Sequence, residues 1–192
     1  MSEYFNTYIN TPEMDYWRKL CVAEGELLFF DKGAEFIVTG EVGRYIGYVK
    51  SGTLKYVVYS TDGREHIIGL EFENEFVTDF PFSLYGQKSR VSIIAVTPCE
   101  IYCVPTVMIA ARMATDAGLK DVVMHSTVAV MSTIYDRYVA LYCESPQERY
   151  ENLLRRHPDL FARFSLKDIA SFLNVTPIHL SRLRKSAVKG NG

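Results

Sequence analysis

Between residues 25 and 104 the hydrophobic positions fall in short runs of β-branched and aromatic side chains, at 27–30, 45–49, 54–59 and 66–70. Turn-forming residues close them, notably Asp31-Lys32-Gly33, Ser51-Gly52 and Thr61-Asp62-Gly63. Runs of this length, cut this often, predict antiparallel strands joined by hairpins. Thr61-Asp62-Gly63 is the firmest tip, because Asp-Gly supplies the positive φ angles that a two-residue turn needs. A further run over 91–104, broken at Pro98, closes the region. Roughly six to eight such strands suggest a double-sheet jelly roll or a small barrel.

After Pro105 the period lengthens. Leu119, Val123, Thr127, Val130, Ile134, Tyr138 and Leu141 are separated by 4, 4, 3, 4, 4 and 3 residues, an apolar seam with one threonine on a helix of about 25 residues. Such a helix needs a partner along its length. It can lie on the β region or pair with its own copy in a dimer, and a seam this long and narrow favours the dimer. Ser145-Pro146-Gln147-Glu148 then starts a new helix, with serine at the cap, proline at the first helical position and glutamate completing a capping box. The long helix therefore ends near Cys143. The new one carries Tyr150, Leu153 and Leu154 on one face and stops before Pro158. Ser165-Leu166-Lys167-Asp168 writes a second box, Thr176-Pro177 starts a third short helix, and residues 190–192 read as a frayed end.

The stretch over 166–185 fits a helix-turn-helix, with an ordinary helical hairpin as the alternative. Ala170 is small where two helices must approach, and Asn174 stands at a turn that needs a left-handed backbone. Ile169, Leu173, Val175, Leu180 and Leu183 supply the apolar contacts between the helices. With Leu180, Leu183 and Ala187 facing inward, Ile178, Ser181, Arg182 and Lys185 face outward together. That face suits a major groove. Arg182 has the two-pronged donor pattern that matches guanine, and Thr176, Pro177 and the helix N-terminus suit a phosphate. Lys167 is a further candidate DNA contact, and His179 is either a backbone contact or a plain surface residue. Arg184 has the alternative of folding over apolar surface.

Composition sharpens one point. The 192 residues carry a net charge of −2, with 21 Lys and Arg against 23 Asp and Glu, which gives no global reason to expect nucleic acid. From Gln147 onward, however, 9 basic residues face 4 acidic ones, a local +5 that leaves −7 on the rest. No acid follows Asp168, so the field around the last helices suits a phosphate backbone. Of the four cysteines, Cys99 and Cys103 lie about 13 Å apart if in one strand, too far for a disulfide or a shared metal. Residues 1–17 are polar and tyrosine-rich, unlike a signal peptide, and no stretch approaches a membrane span. A cytoplasmic protein is expected. The β region holds one histidine, His66, too few for a metal-dependent enzyme of the cupin type, so neither catalysis nor a metal site is expected.

Taken together, a β-roll, one long helix with a dimer-like seam and a C-terminal helix-turn-helix resemble the Crp/Fnr family of bacterial transcription regulators. The resemblance spans roughly residues 12–188 and is strongest over 145–154 and 166–185, which look like the short-tailed branch of that family. It implies an α+β fold with three parts: a cyclic-nucleotide-binding-like roll over 1–112, a dimerisation helix over 113–144 and a helix-turn-helix domain over 145–192. It also implies a homodimer on a two-fold DNA operator, RNA polymerase as a partner, and a small effector sensed in the roll. A signalling module whose helix-turn-helix binds protein is the alternative. Family members that bind cyclic nucleotide carry Gly-Glu and, about ten residues on, Arg-Ser or Arg-Thr. Here Thr78-Asp79 and Ser89-Arg90 stand in those places, followed by Val91, so Asp79, Ser89 and Arg90 are the candidate effector residues and cyclic AMP is disfavoured. The iron–sulfur branch needs several N-terminal cysteines, and only Cys21 lies there. A haem variant would need a ligand near the long helix, where His125 reads as a surface residue. No cofactor is expected.

Overall fold

The computed structural model describes residues 6–189, with side chains as far as Ser186. The frayed end expected over 190–192 and the inward position of Ala187 lie outside the described residues.

Alternation in the strand runs builds two antiparallel four-stranded sheets. The first has the order β1 (Glu26–Phe30), β8 (Cys99–Pro105), β3 (Tyr45–Ser51), β6 (Phe76–Val77); the second has β2 (Glu35–Ile37), β7 (Ser92–Ala95), β4 (Leu54–Tyr59), β5 (Glu65–Glu71). The single run expected over 91–104 is thus two strands, and the break at Pro98 is where the chain crosses from one sheet to the other. Gly63 takes a positive φ of 77° at the hairpin tip, as the Asp-Gly pair requires. Gly47 is enclosed differently: a β-carbon there would stand 2.6 Å from Ile101 and 2.8 Å from Val77. Val49, Leu54, Val77, Ile93 and Ile101 fill the space between the sheets.

β3 is covered on both faces. Val49 points between the sheets, whereas Ile46 and Tyr48 point to a second core shared with helices α1 (Pro12–Glu24), α2 (Thr106–Met113) and α3 (Ala117–Cys143). Helix α1 is a correction to the sequence reading, which assigns the N-terminal stretch no element. Its signal is Pro12 at the first helical position, followed by Met14, Trp17, Leu20 and Cys21 buried on one face. Acidic and basic residues on the rest of that helix mask the pattern in a mean over the segment.

The C-terminal helices are α4 (Pro146–Arg156), α5 (Leu160–Arg163), α6 (Leu166–Phe172) and α7 (Pro177–Lys189). Ser145 and Glu148 form the reciprocal capping box read from the sequence, and Ser165 accepts from the Asp168 N–H. These helices do not stand apart from the roll. Val57, Ile67 and Leu70 of the second sheet, with Phe72 just after β5, share one apolar core with Leu160, Phe164, Ile169, Leu173 and Leu180.

Candidate functional site

Helices α6 and α7 are joined by a turn in which Asn174 takes φ 54° and the Val175 N–H donates to the Ala170 carbonyl at 2.9 Å. Asparagine tolerates that left-handed conformation better than other residues with a β-carbon. Ala170 is fully buried at the crossing, and Leu180 and Leu183 turn inward against it. At the start of α7 the Thr176 hydroxyl accepts from the His179 N–H at 3.1 Å, taking up one orphan donor.

The outward face is open. Ile178 is 68% exposed, and Lys167, Thr176, Pro177, His179, Arg182 and Lys185 are exposed with it, whereas Ser181 is half-buried. Arg184 takes its alternative reading: its guanidinium lies 4.1 Å from the centre of the Phe161 ring, a cation–π contact that turns it away from the outward face of α7.

The seven seam positions on α3 divide. Leu119 and Val123 are each 3% exposed, packed in the core shared with α1 and β3, so they are not available to a second chain. Thr127 donates to the Val123 carbonyl of its own helix at 2.7 Å, and Val130 packs against the same core. Ile134, Tyr138 and Leu141 are exposed. A different row stands exposed along the helix: Met124, Val128, Met131, Tyr135, Tyr138 and Tyr142, spaced 4, 3, 4, 3 and 4. The helix has two apolar rows, one for its own roll and one facing out, and the sequence reading joins parts of both.

Asp79, Ser89 and Arg90 do come together in one loop region. Burial raises the Asp79 carboxyl above its ordinary range, opposed by the Ser89 hydroxyl and by Arg90. Ser89 is buried, however, and its hydroxyl donates to the Val91 carbonyl at 2.8 Å and accepts from the Val91 N–H at 3.1 Å. That hydroxyl therefore takes part in the internal bonding of the loop. Between the roll and the helices a cavity of about 60 Å³ is lined by Tyr8, Trp17, Phe76 and Phe80, and Asp79, Ser89 and Arg90 are not among its walls. Trp17 is held there by an N–H donated to the Ser126 hydroxyl at 2.7 Å. Small-molecule sites span about 300–1,000 Å³, several times the volume of this cavity.

A buried polar network beside that cavity escaped the sequence reading. The Asn6 amide donates to Glu71 at 2.6 Å, to Glu75 at 2.7 Å and to the Leu70 carbonyl at 3.0 Å, and the Tyr8 hydroxyl donates to Glu71 at 3.0 Å. Arg137 of α3 donates to the side-chain amide oxygen (Oδ1) of Asn6. Burial lowers the Arg137 guanidinium, while Glu71 and Glu75 pull it back up. The cysteines at 21, 99, 103 and 143 are free. His125 lies 3.3 Å from Glu13 on the surface. Among the described residues no group of His, Cys, Asp and Glu could hold a metal, and no helix is long and apolar enough to cross a membrane.

Residues 27–116 match the family model of the cyclic nucleotide-binding domain. Comparison with curated proteins finds no match. Among solved structures, FixK2 from Bradyrhizobium japonicum is similar, with a TM-score of 0.76 at 16% identity over 87% of this chain and 86% of its own. TTHA1359, a Crp/Fnr-family transcriptional regulator from Thermus thermophilus, has a TM-score of 0.64 at 13% identity, covering 86% of this chain and 87% of its own. The c-di-GMP responsive global regulator CLP from Xanthomonas campestris has a TM-score of 0.62 at 15% identity, covering 92% of each chain.

Proposed function

We propose that this chain, a cyclic nucleotide-binding domain carried on the fold of the Crp/Fnr transcription regulators, regulates transcription as a homodimer that lays α7 in the major groove of a two-fold DNA operator. One observation carries the reading: Ile178, Arg182 and Lys185 stand exposed on the outward face of α7, in a segment with no acid after Asp168. Arg182 reads guanine, Ile178 packs on a thymine methyl, and Ser181 takes a flanking contact. Lys167, Lys185, His179 and the first turn of α7 at Thr176-Pro177 hold phosphates. The reading includes RNA polymerase as a partner. Free cysteines suit the reducing cytoplasm.

The dimer face in this reading is the outward row of α3, Met124 to Tyr142, rather than Leu119 and Val123. An effector held by Asp79, Ser89 and Arg90 is not favoured, because the Ser89 hydroxyl is engaged within the loop.

Fluorescence anisotropy against operators selected from a random-sequence pool tests the proposal. Arg182→Ala is expected to weaken specific binding by about 1–3 kcal/mol with the dimer intact, and wild-type affinity is expected to fall steeply with added salt. No selected operator, or affinity indifferent to both salt and Arg182, would instead favour a helix pair that binds protein.

A further inference from the structure

The two sheets of the roll have four outer strands, β1 and β6 on the first and β2 and β5 on the second. An outer strand presents a row of N–H and C=O groups to whatever lies beside it, and proteins blunt such rows with shortness, bulges, charge or cover. Three of the four are blunted here. β6 has two residues, both buried. β2 has three, and its register against β7 shifts between Glu35 and Ile37. β5 lies against α6, and the Ser171 hydroxyl of that helix accepts from the Ile67 N–H at 2.9 Å.

β1 has none of these devices. Its register against β8 runs unbroken from Glu26 opposite Cys103 to Phe30 opposite Cys99. Among the described residues no strand pairs with its other edge, so alternate residues of the five turn their N–H and C=O groups away from the sheet. No proline or lysine interrupts Leu27-Leu28-Phe29-Phe30, and no residue of the strand is fully buried. Leu28 and Phe30 pack, partly exposed, against the core between the sheets. Phe29, on the opposite face, is 72% exposed. An exposed acid stands at each end, Glu26 at the start of the strand and Asp31 one residue beyond it. The nearby acids Glu24 and Glu100 are neutralised by Arg112 and Lys50, whereas among the described residues Glu26 and Asp31 form no ion pair. Lys32 follows Asp31 in the turn and leaves the edge with a net negative charge.

We propose that β1 is a docking edge for an extended segment of a partner protein, added to the first sheet as a further strand, with β-branched side chains along its middle and a basic residue at each end. The backbone ladder supplies affinity in such a pairing and the side chains supply selectivity. Leu27, Leu28, Phe29 and Phe30 take the incoming side chains as cross-strand pairs. Two lysines five residues apart in an extended segment are separated by about 17 Å, the span from Glu26 to Asp31. A second copy of this chain matches the edge less well. Two β1 strands paired antiparallel about Leu28 would set each Glu26 opposite a Phe30 and gather like charges at both ends of the ladder.

The probe is the acetylated and amidated peptide Lys-Val-Thr-Val-Thr-Lys, titrated into the whole isotope-labelled chain and followed by amide NMR. Saturable shifts centred on residues 26–30 are expected, with amide exchange slowed in β1 and unchanged in β5. Phe29→Lys, at an exposed position, is expected to weaken binding about fivefold or more. Glu-Val-Thr-Val-Thr-Glu, which reverses the charge, and Lys-Val-Pro-Pro-Thr-Lys, which lacks two ladder donors, are expected to lose at least as much. No saturable shift in β1, or equal affinity for wild type and Phe29→Lys, overturns the docking edge. Equal binding of the acidic peptide overturns the basic partner, and equal binding of the proline peptide overturns strand addition. In sedimentation without peptide, wild type and Phe29→Lys are expected to share one oligomeric state. A smaller assembly in the variant would make this edge a contact between copies of the chain and overturn the proposal. None of these readouts involves DNA or α7, so they stand or fall separately from the transcriptional reading.

Discussion

Glu71 is a carboxyl buried at the junction of the N-terminal segment, the roll and α3. Burial raises its pKa well above the ordinary 4.5, the neighbouring Glu75 raises it further, and Arg137 and the Tyr8 hydroxyl pull the other way. Burial raises Glu75 as well, against hydrogen bonds from Asn6 and Phe72. The folded chain therefore holds a proton that the unfolded chain releases near 4.5. Stability attributable to Glu71 is complete below that value and declines as pH rises above it, until the folded carboxyl also ionises. In urea unfolding between about pH 5 and 8, wild-type stability is expected to fall with a slope that Glu71→Gln largely removes. Glu75, Arg137, Tyr8 and Tyr56 face the same carboxyl, and the slope that remains in the variant belongs to Glu75. Parallel slopes for the two proteins would show that Glu71 is ionised in the folded state throughout. No periodicity marks such a residue. Its partners stand 65 positions away at Asn6 and, through that amide, 131 further at Arg137, and only the folded chain brings them together.

The helix is the scale at which the sequence speaks most clearly and also where it misleads. Ser145, Ser165 and Thr176 each cap an N–H three residues on. A signal confined to one turn is readable without knowing what the helix packs against. The same holds for Asn174, whose left-handed backbone is a property of the turn itself. Helix α3 is different because spacings of three and four recur on two of its faces, and periodicity alone cannot assign either face to a partner. Burial separates them: Leu119 and Val123 point to the roll, while Met131, at 68% exposed, belongs to the open row. Met131→Glu or Tyr135→Glu would place a charge in the proposed dimer seam, at several kcal/mol per desolvated ion. The dimer dissociation constant is then expected to rise by about two orders of magnitude or more. Ile134→Glu lies off that row and is expected to leave the dimer intact in sedimentation velocity. Monomers from Ile134→Glu together with dimers from Met131→Glu would exchange the roles of the two rows.

At the scale of the whole molecule, the helix-turn-helix is seated on the edge of its own roll. β5 is the outermost strand of the second sheet, and α6 covers it. The Ser171 hydroxyl accepts from the Ile67 N–H at 2.9 Å, the Lys55 ammonium meets Asp168 at 2.9 Å, and Arg163 forks onto Glu73. His157 stacks on Phe72 with ring centres 3.6 Å apart. None of this seating is legible in the sequence, since Lys55 and Asp168 are 113 residues apart and Asp168 already has a local role in its capping box. The Lys55–Asp168 pair is largely sheltered, with side chains 16% and 15% exposed, so it exceeds an ordinary surface pair in worth, at about 1 kcal/mol or somewhat more. The Ser171 bond adds about 1 kcal/mol. Lys55→Ala and Ser171→Ala are therefore each expected to speed hydrogen exchange at the Ile67 amide by about fivefold to tenfold, through easier separation of α6 from β5. Exchange in β3 and β8, which lie in the other sheet, is expected to stay at the wild-type rate. That contrast matters because a general loss of stability would speed exchange in both sheets, whereas unseating the helices exposes only the β5 edge. Unchanged exchange at Ile67 in both variants would mean that the shared apolar core, not these polar contacts, fixes where α6 and α7 stand.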